Sequence, residues 1–128
     1  MSDQLYELDY FRDEENGHHE IIAILTGLPI DEIEKVSPKR DSWYGRDFID
    51  VFRNLGFNVN PRYIKFNPNT EYPCMMRFRD KTDKKVCWYA YVYYNDKVYT
   101  GKGEWWRFDQ WLKMYSNCRV TSMLQVWI

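Results

Sequence analysis

The side chains able to do chemistry in this sequence are few, and their spacing matches no catalytic or metal-binding motif. Cys74, Cys87 and Cys118 form an odd set with no paired Cys-x-x-Cys interval, so neither a disulfide framework nor a zinc knuckle is indicated. His18 and His19 are adjacent. Neighbours in a helical first turn point in different directions, and they lack the i, i+4 interval by which two histidines share a metal. A zinc site joining His18 to Cys87 has nothing further to support it, and no metal or cofactor is expected. With Glu20 and Asp96, the residues His18, His19 and Cys87 are the groups from which an enzyme of unfamiliar type would be built. The chain has no phosphate loop, dinucleotide fingerprint or nucleophile elbow.

Aromatic side chains are the larger resource: six Trp, eleven Tyr and seven Phe make up 19% of the 128 residues. Each brings a large area at low entropy cost, so such residues build cores and binding surfaces alike. Trp43, Tyr44, Trp88, Trp105 and Trp106 are candidate interface anchors, with Trp88 more simply read as core. Arg77, Arg79, Lys81, Lys84 and Lys85 lie beside an aromatic run, the combination used to hold single-stranded nucleic acid. Asp80 and Asp83 dilute that field, and the net charge of −1 argues against nucleic acid and anionic membranes.

The charge is unevenly spread. Residues 1–35 hold ten acids and two bases, and residues 36–128 hold sixteen bases and nine acids. Either this marks a charged docking surface or the two halves neutralise each other across the fold. Met1–Arg12 carries three acids and no long apolar run, unlike a signal peptide. No apolar run approaches the ~20 residues of a membrane span. A cytoplasmic protein with reduced thiols is the expectation.

The elements that must position these groups follow from periodicity. Met1–Glu15 reads as an acidic lead-in with a short strand or turn around Leu5–Phe11. Asn16 suits the N-cap of a helix carrying Ile21, Ile22, Leu25 and Leu28, with Gly27 as its stop. Asp31 is expected to cap a second short helix with Ile33 and Val36 inward. Phe48, Val51, Phe52 and Leu55 stand at i, i+3, i+4 and i+7, with Gly56 next, the clearest helix in the chain. Strands are expected over Phe57–Asn60, Arg62–Phe66 and Pro73–Arg79. Val86–Tyr94 is apolar on both alternating faces and reads as a central strand. Asn95-Asp96 turns it into Lys97–Thr100. Glu104–Tyr115 presents Trp105, Phe108, Leu112 and Tyr115 as a helical stripe, and Val120–Ile128 closes the chain as a strand. N-terminal helices packed on an antiparallel sheet make a single α+β domain over residues 1–128.

The run Asn16-Gly17-His18-His19-Glu20-Ile21-Ile22-Ala23-Ile24-Leu25-Thr26-Gly27 resembles the opening of small papain-like cysteine peptidases of the C39-like group. In those, a Cys-Gly pair starts the central helix. The short helix at Asp31–Val36, Gly45, the Leu55-Gly56 helix end, the strand Cys87-Trp88-Tyr89-Ala90-Tyr91-Val92 and the return Lys97-Val98-Tyr99-Thr100 are similar in order. The resemblance runs from about Glu14 to Ile128. It implies a papain-like fold with its chemistry replaced. Asn16 stands at the nucleophile position, Cys87 at the base and Thr100 at the orienting group, and Phe11–Glu15 holds no oxyanion-hole glutamine. A cysteine nucleophile needs a histidine partner and a helix N-terminus to lower its pKa. A Cys/His pair with exchanged roles, Cys87 against His18 or His19, is the one alternative within that geometry.

The function expected is a catalytically inactive scaffold acting as a protein-binding module. Its cleft would be lined from Asn16, His18, Trp43, Tyr44, Cys87, Trp105 and Trp106. By analogy of fold it suits a phage or bacterial accessory protein that inhibits or modulates a host factor. A protein partner is expected, and a homodimer is compatible with the aromatic excess. The alternatives are a single-stranded nucleic-acid-binding domain and an enzyme with a Cys/His site.

Overall fold

The computed structural model describes residues 17–40, 43–82, 89–100 and 105–128. Among them α1 (Gly17–Thr26), α2 (Ile30–Lys35) and α3 (Gly45–Asn54) come first. Then follow β1 (Asn58–Val59), β2 (Ile64–Lys65), β3 (Cys74–Asp80), β4 (Tyr89–Tyr94), β5 (Lys97–Tyr99), β6 (Trp105–Arg107), α4 (Phe108–Met114) and β7 (Cys118–Trp127). The architecture is mixed α+β, with four helices and a seven-stranded antiparallel sheet among the described residues.

α1 buries Ile22, Ala23, Ile24 and Leu25 and stops at Gly27, whose φ of 76° is the left-handed turn that glycine adopts without Cβ strain. The Gly27 N–H donates back to the Ala23 carbonyl at 2.7 Å. α2 starts differently from the sequence expectation. Pro29 takes the N-cap position and Asp31 lies inside the first turn. Proline suits a helix start because it has no N–H to leave unsatisfied, and Asp31 there faces the positive end of the helix dipole. α3 buries Phe48, Val51 and Phe52 of the stripe read from the sequence, with Ile49 in addition, while Leu55 is its C-cap and partly buried.

The strands run in the order β1-β7-β3-β4-β5-β6, with β2 also paired to β7. β7 is the spine: β3 lies along one of its edges, and β1 and β2 follow each other along the other. The register shifts so that Arg77 faces Ser122 while Phe78 faces Val120. This leaves Thr121 as an extra residue, a bulge whose hydroxyl donates to the Arg77 carbonyl at 3.3 Å. β4 and β5 form the expected hairpin, with Asn95 and Asp96 at φ of 50° and 67° as a two-residue turn requires.

Alternation along the strands divides the core between two faces. Met75, Val92, Leu124 and Val126 meet α1, α2 and α3 on one side. Cys74, Met76, Phe78, Tyr93, Val98 and Met123 surround Trp111 of α4 on the other. β4 is covered on both sides, which is why its sequence is apolar on both faces.

A second expectation is corrected. Trp105 and Trp106 stand on a strand, and the helix begins only at Phe108. Pairing of Trp106 with Val98 and Trp105 with Tyr99 satisfies backbone groups of β5 that a helix would leave open. Strand alternation then sends Trp106 against the α4 cluster and leaves Trp105 49% exposed, with the Lys97 ammonium 4.6 Å from its ring. The lead-in at residues 1–15, Asn16 and the segment Val86–Trp88 lie outside the described residues.

Candidate functional site

The start of α1, the start of α3 and strands β3 to β5 enclose a cleft of about 540 Å³. Rings join its two helical walls. His18 packs on Trp43 with centroids 5.0 Å apart and meets Phe48 edge-on at 5.3 Å. Trp43 in turn lies 5.0 Å from Phe48, and His19 meets its ring at 5.5 Å. His18 is half-buried, and burial together with the neighbouring His19 lowers its pKa from the ordinary histidine value. The imidazole is therefore held neutral and behaves as one more ring in the wall.

The sheet side of the cleft is built on Tyr63 and Arg77. The Tyr63 hydroxyl donates to the Gly45 carbonyl at 2.9 Å, tying the segment before β2 to the first residue of α3. A Cβ at position 45 would lie 2.9 Å from Tyr63 Cε1, so the close approach of ring and helix start depends on glycine there. The Arg77 guanidinium lies over the Tyr63 ring, 4.2 Å from its centroid, and Nε donates to Ser122 Oγ at 2.9 Å. Burial pushes the Tyr63 phenol well above its ordinary pKa against the pull of Arg77, so the hydroxyl stays protonated and available as a donor.

Around the mouth, Arg40 pairs with Asp47 and lies 5.5 Å from the centroid of the Tyr44 ring. Burial alone would raise the Asp47 pKa, but the Tyr44 N–H and Arg40 together hold its carboxyl below the usual range. Tyr44 itself is 73% exposed at the rim. Glu20 lines the interior at 5% exposure, alongside Ile21 and Ile24 of the same helix.

His18, Trp43 and Tyr44, singled out in the sequence, all line this cleft, together with Gly17 and Thr100. Trp105 and Trp106 are on β6 and are not among its lining residues. Asn16 and Cys87 lie outside the described residues, as do Lys84 and Lys85. Arg77 of the basic run points into the cleft, whereas Lys81 is exposed beyond the end of β3. Asp96 lines a second, shallow hollow with Pro68, Asn69 and Tyr93, so it does not join His18 and Glu20. The cleft residues that the sequence did not announce are Tyr63, Tyr89 and Tyr99. Alternation along β3 was the available signal for Arg77, which falls on the same face as Met75.

The described lining holds rings, one carboxylate and one guanidinium, and no cysteine. Cys74 is fully buried on the α4 side, where burial pushes its thiol pKa up and leaves it a poor nucleophile. No group of three or more His, Cys, Asp or Glu able to hold a metal ion occurs among the described residues, and none of the described helices is long and apolar enough to cross a membrane. No family model, no curated protein and no solved structure matches this chain.

Proposed function

We propose that this chain is a catalytically inactive papain-like scaffold that binds a protein partner through the aromatic cleft. The observation that carries the reading is the composition and place of that cleft. It lies between the start of the first helix and the β4–β5 hairpin, and its described lining is rich in rings and holds no cysteine that could act as a nucleophile. Thr100, which the papain-like resemblance sets at the orienting position, lines it together with Gly17 of the first helix. A volume of about 540 Å³ is in the range of pre-formed ligand sites, large enough for a few residues of a peptide. Exposed tyrosines lining such a site, here Tyr44 and Tyr89, are favoured anchors for a protein partner. By the analogy of fold set out above, a phage or bacterial accessory protein that modulates a host factor is the setting this reading fits.

The test is a random peptide library displayed on phage and panned against the full chain and its Tyr44→Ala variant. Tyr44 is exposed, so its truncation leaves the core intact. Peptides held by the native chain and weakened about tenfold or more by the substitution are the expected result. Recovery of no peptide, or only of peptides indifferent to Tyr44, would reject the cleft as a protein-binding site.

A further inference from the structure

We propose that the anchor this cleft takes from its partner is an uncharged aromatic side chain, tryptophan or tyrosine, in preference to an aliphatic, cationic or anionic one. The inference rests on the peptide-binding reading and names the chemistry of its ligand. Three features of the site decide between the four classes.

The cleft carries no strong field of one sign. One guanidinium, Arg77, and one carboxyl, the buried Glu20, line it, and the nearby pair, Arg40 with Asp47, is one of each sign. His18 is packed as a ring against Trp43 and Phe48. An anionic side chain entering here would lose its hydration among rings and aliphatic side chains. The two guanidinium groups near it already hold partners, Arg77 through Nε with Ser122 and Arg40 with Asp47, which lessens what either would gain from a new anion.

A cation fares no better, although a cage of rings is the usual receptor for one. Two of the ring faces are already covered by cations: Tyr63 by Arg77 at 4.2 Å and Tyr44 by Arg40 at 5.5 Å. A lysine or quaternary ammonium in the cleft would be set beside the Arg77 guanidinium that lines it.

Rings remain the best match for rings. The lining offers both faces and edges, as the tilted and edge-on contacts among His18, Trp43 and Phe48 show. An aliphatic anchor would gain the buried area alone. An aromatic anchor adds offset or edge-to-face contacts, each equivalent to roughly 2- to 12-fold in affinity.

The experiment titrates the full chain with N-acetyl amides of tryptophan, tyrosine, leucine, phosphotyrosine and trimethyl-lysine. Binding is read by NMR from the Trp43 indole N–H and the His18 ring protons, with Tyr44→Ala in parallel. Expected are shifts of both reporters by the tryptophan and tyrosine amides, binding about tenfold tighter than leucinamide, and weakening by Tyr44→Ala. Tighter binding of the leucine, phosphotyrosine or trimethyl-lysine amide would overturn the inference. Cleft-dependent peptides from the phage library whose shared residue is aliphatic or charged would overturn it while leaving the peptide-binding reading in place. If the aromatic amides bind and the library returns nothing, the ligand class stands and the protein-binding reading falls. If no amide moves either reporter, the inference falls.

Discussion

Burial and the neighbouring His19 both disfavour a positive charge on His18, and the imidazole packs against Trp43 and Phe48 as an uncharged ring. The consequence for stability has a definite sign. A base whose folded pKa lies below its unfolded value binds fewer protons when folded, so lowering the pH favours the unfolded chain. Stability contributed by neutral His18 is complete above the ordinary value of 6.5, is lost as pH falls below it, and stops changing once pH is under the lowered folded value. Thermal melts of the native chain and of His18→Phe between pH 7.5 and pH 4.5, run in parallel, test this. The variant keeps a ring in the stack, so its advantage over the native chain is expected to widen as the pH drops through that window. Curves that stay parallel would mean that the ring stack does not exclude the proton. At this scale the sequence was half legible. The aromatic candidates Trp43 and Tyr44 could be picked out because Trp and Tyr are favoured as interface anchors. Tyr63, Tyr89 and Tyr99 could not be separated from the other tyrosines, because only tertiary pairing brings them to the same place, the sheet register for Tyr89 and Tyr99 and the bond to Gly45 for Tyr63.

The elements that shape the cleft meet at few points, and Gly45 is the tightest. Its carbonyl accepts the Tyr63 hydroxyl, and a methyl group added there would stand 2.9 Å from the Tyr63 ring. Relief requires the ring to move, and the ring is also the surface on which Arg77 rests. Gly45→Ala is therefore expected to cost about 1–3 kcal/mol, the usual penalty of overpacking, in spite of alanine's better helix propensity. Urea titration of the two proteins measures it. A gain in stability would show that Tyr63 yields freely and that the cleft floor is not held by this contact. Helices and hairpin were the legible elements: the apolar stripe of α3 and the Asn95-Asp96 turn carry their structure in local spacing. β6 was not. Trp105, Phe108 and Leu112 repeat at intervals that suit a helix, and the pairing of Trp106 with Val98 that overrides this repeat is a tertiary fact. The N-cap of α2 was missed for a related reason, since Asp31 and Pro29 both signal a helix start and the proline sits earlier.

On the scale of the whole molecule, the sheet is shared by two cores. Successive residues of β3 and β4 alternate between them: Cys74 and Met76 face α4 while Met75 faces the first three helices, and Val92 and Tyr93 divide in the same way. The insertion of β7 between β1 and β3 makes the C-terminal strand the one that ties the two sides together, and no local pattern in the sequence announces that order. With strands common to both layers, neither layer has a sheet of its own to melt from. Phe52, fully buried under α3, and Trp111, fully buried under α4, are probes of the two sides. Truncation of either to alanine is expected to cost about 3–5 kcal/mol. Trp111 carries a buried indole N–H with no hydrogen-bond partner among the described residues, which offsets part of what its large ring contributes and sets its cost toward the lower end of that range. Shared strands further require that each truncation shift the entire unfolding curve. The far-ultraviolet signal of α1 to α3 and the near-ultraviolet signal of the rings around Trp111 should move together in urea, whichever side is cut. Loss of the near-ultraviolet signal in Trp111→Ala at urea concentrations where the helical signal persists would show instead that the α4 layer opens by itself, with β3, β4 and β7 still held by the helices on the opposite face.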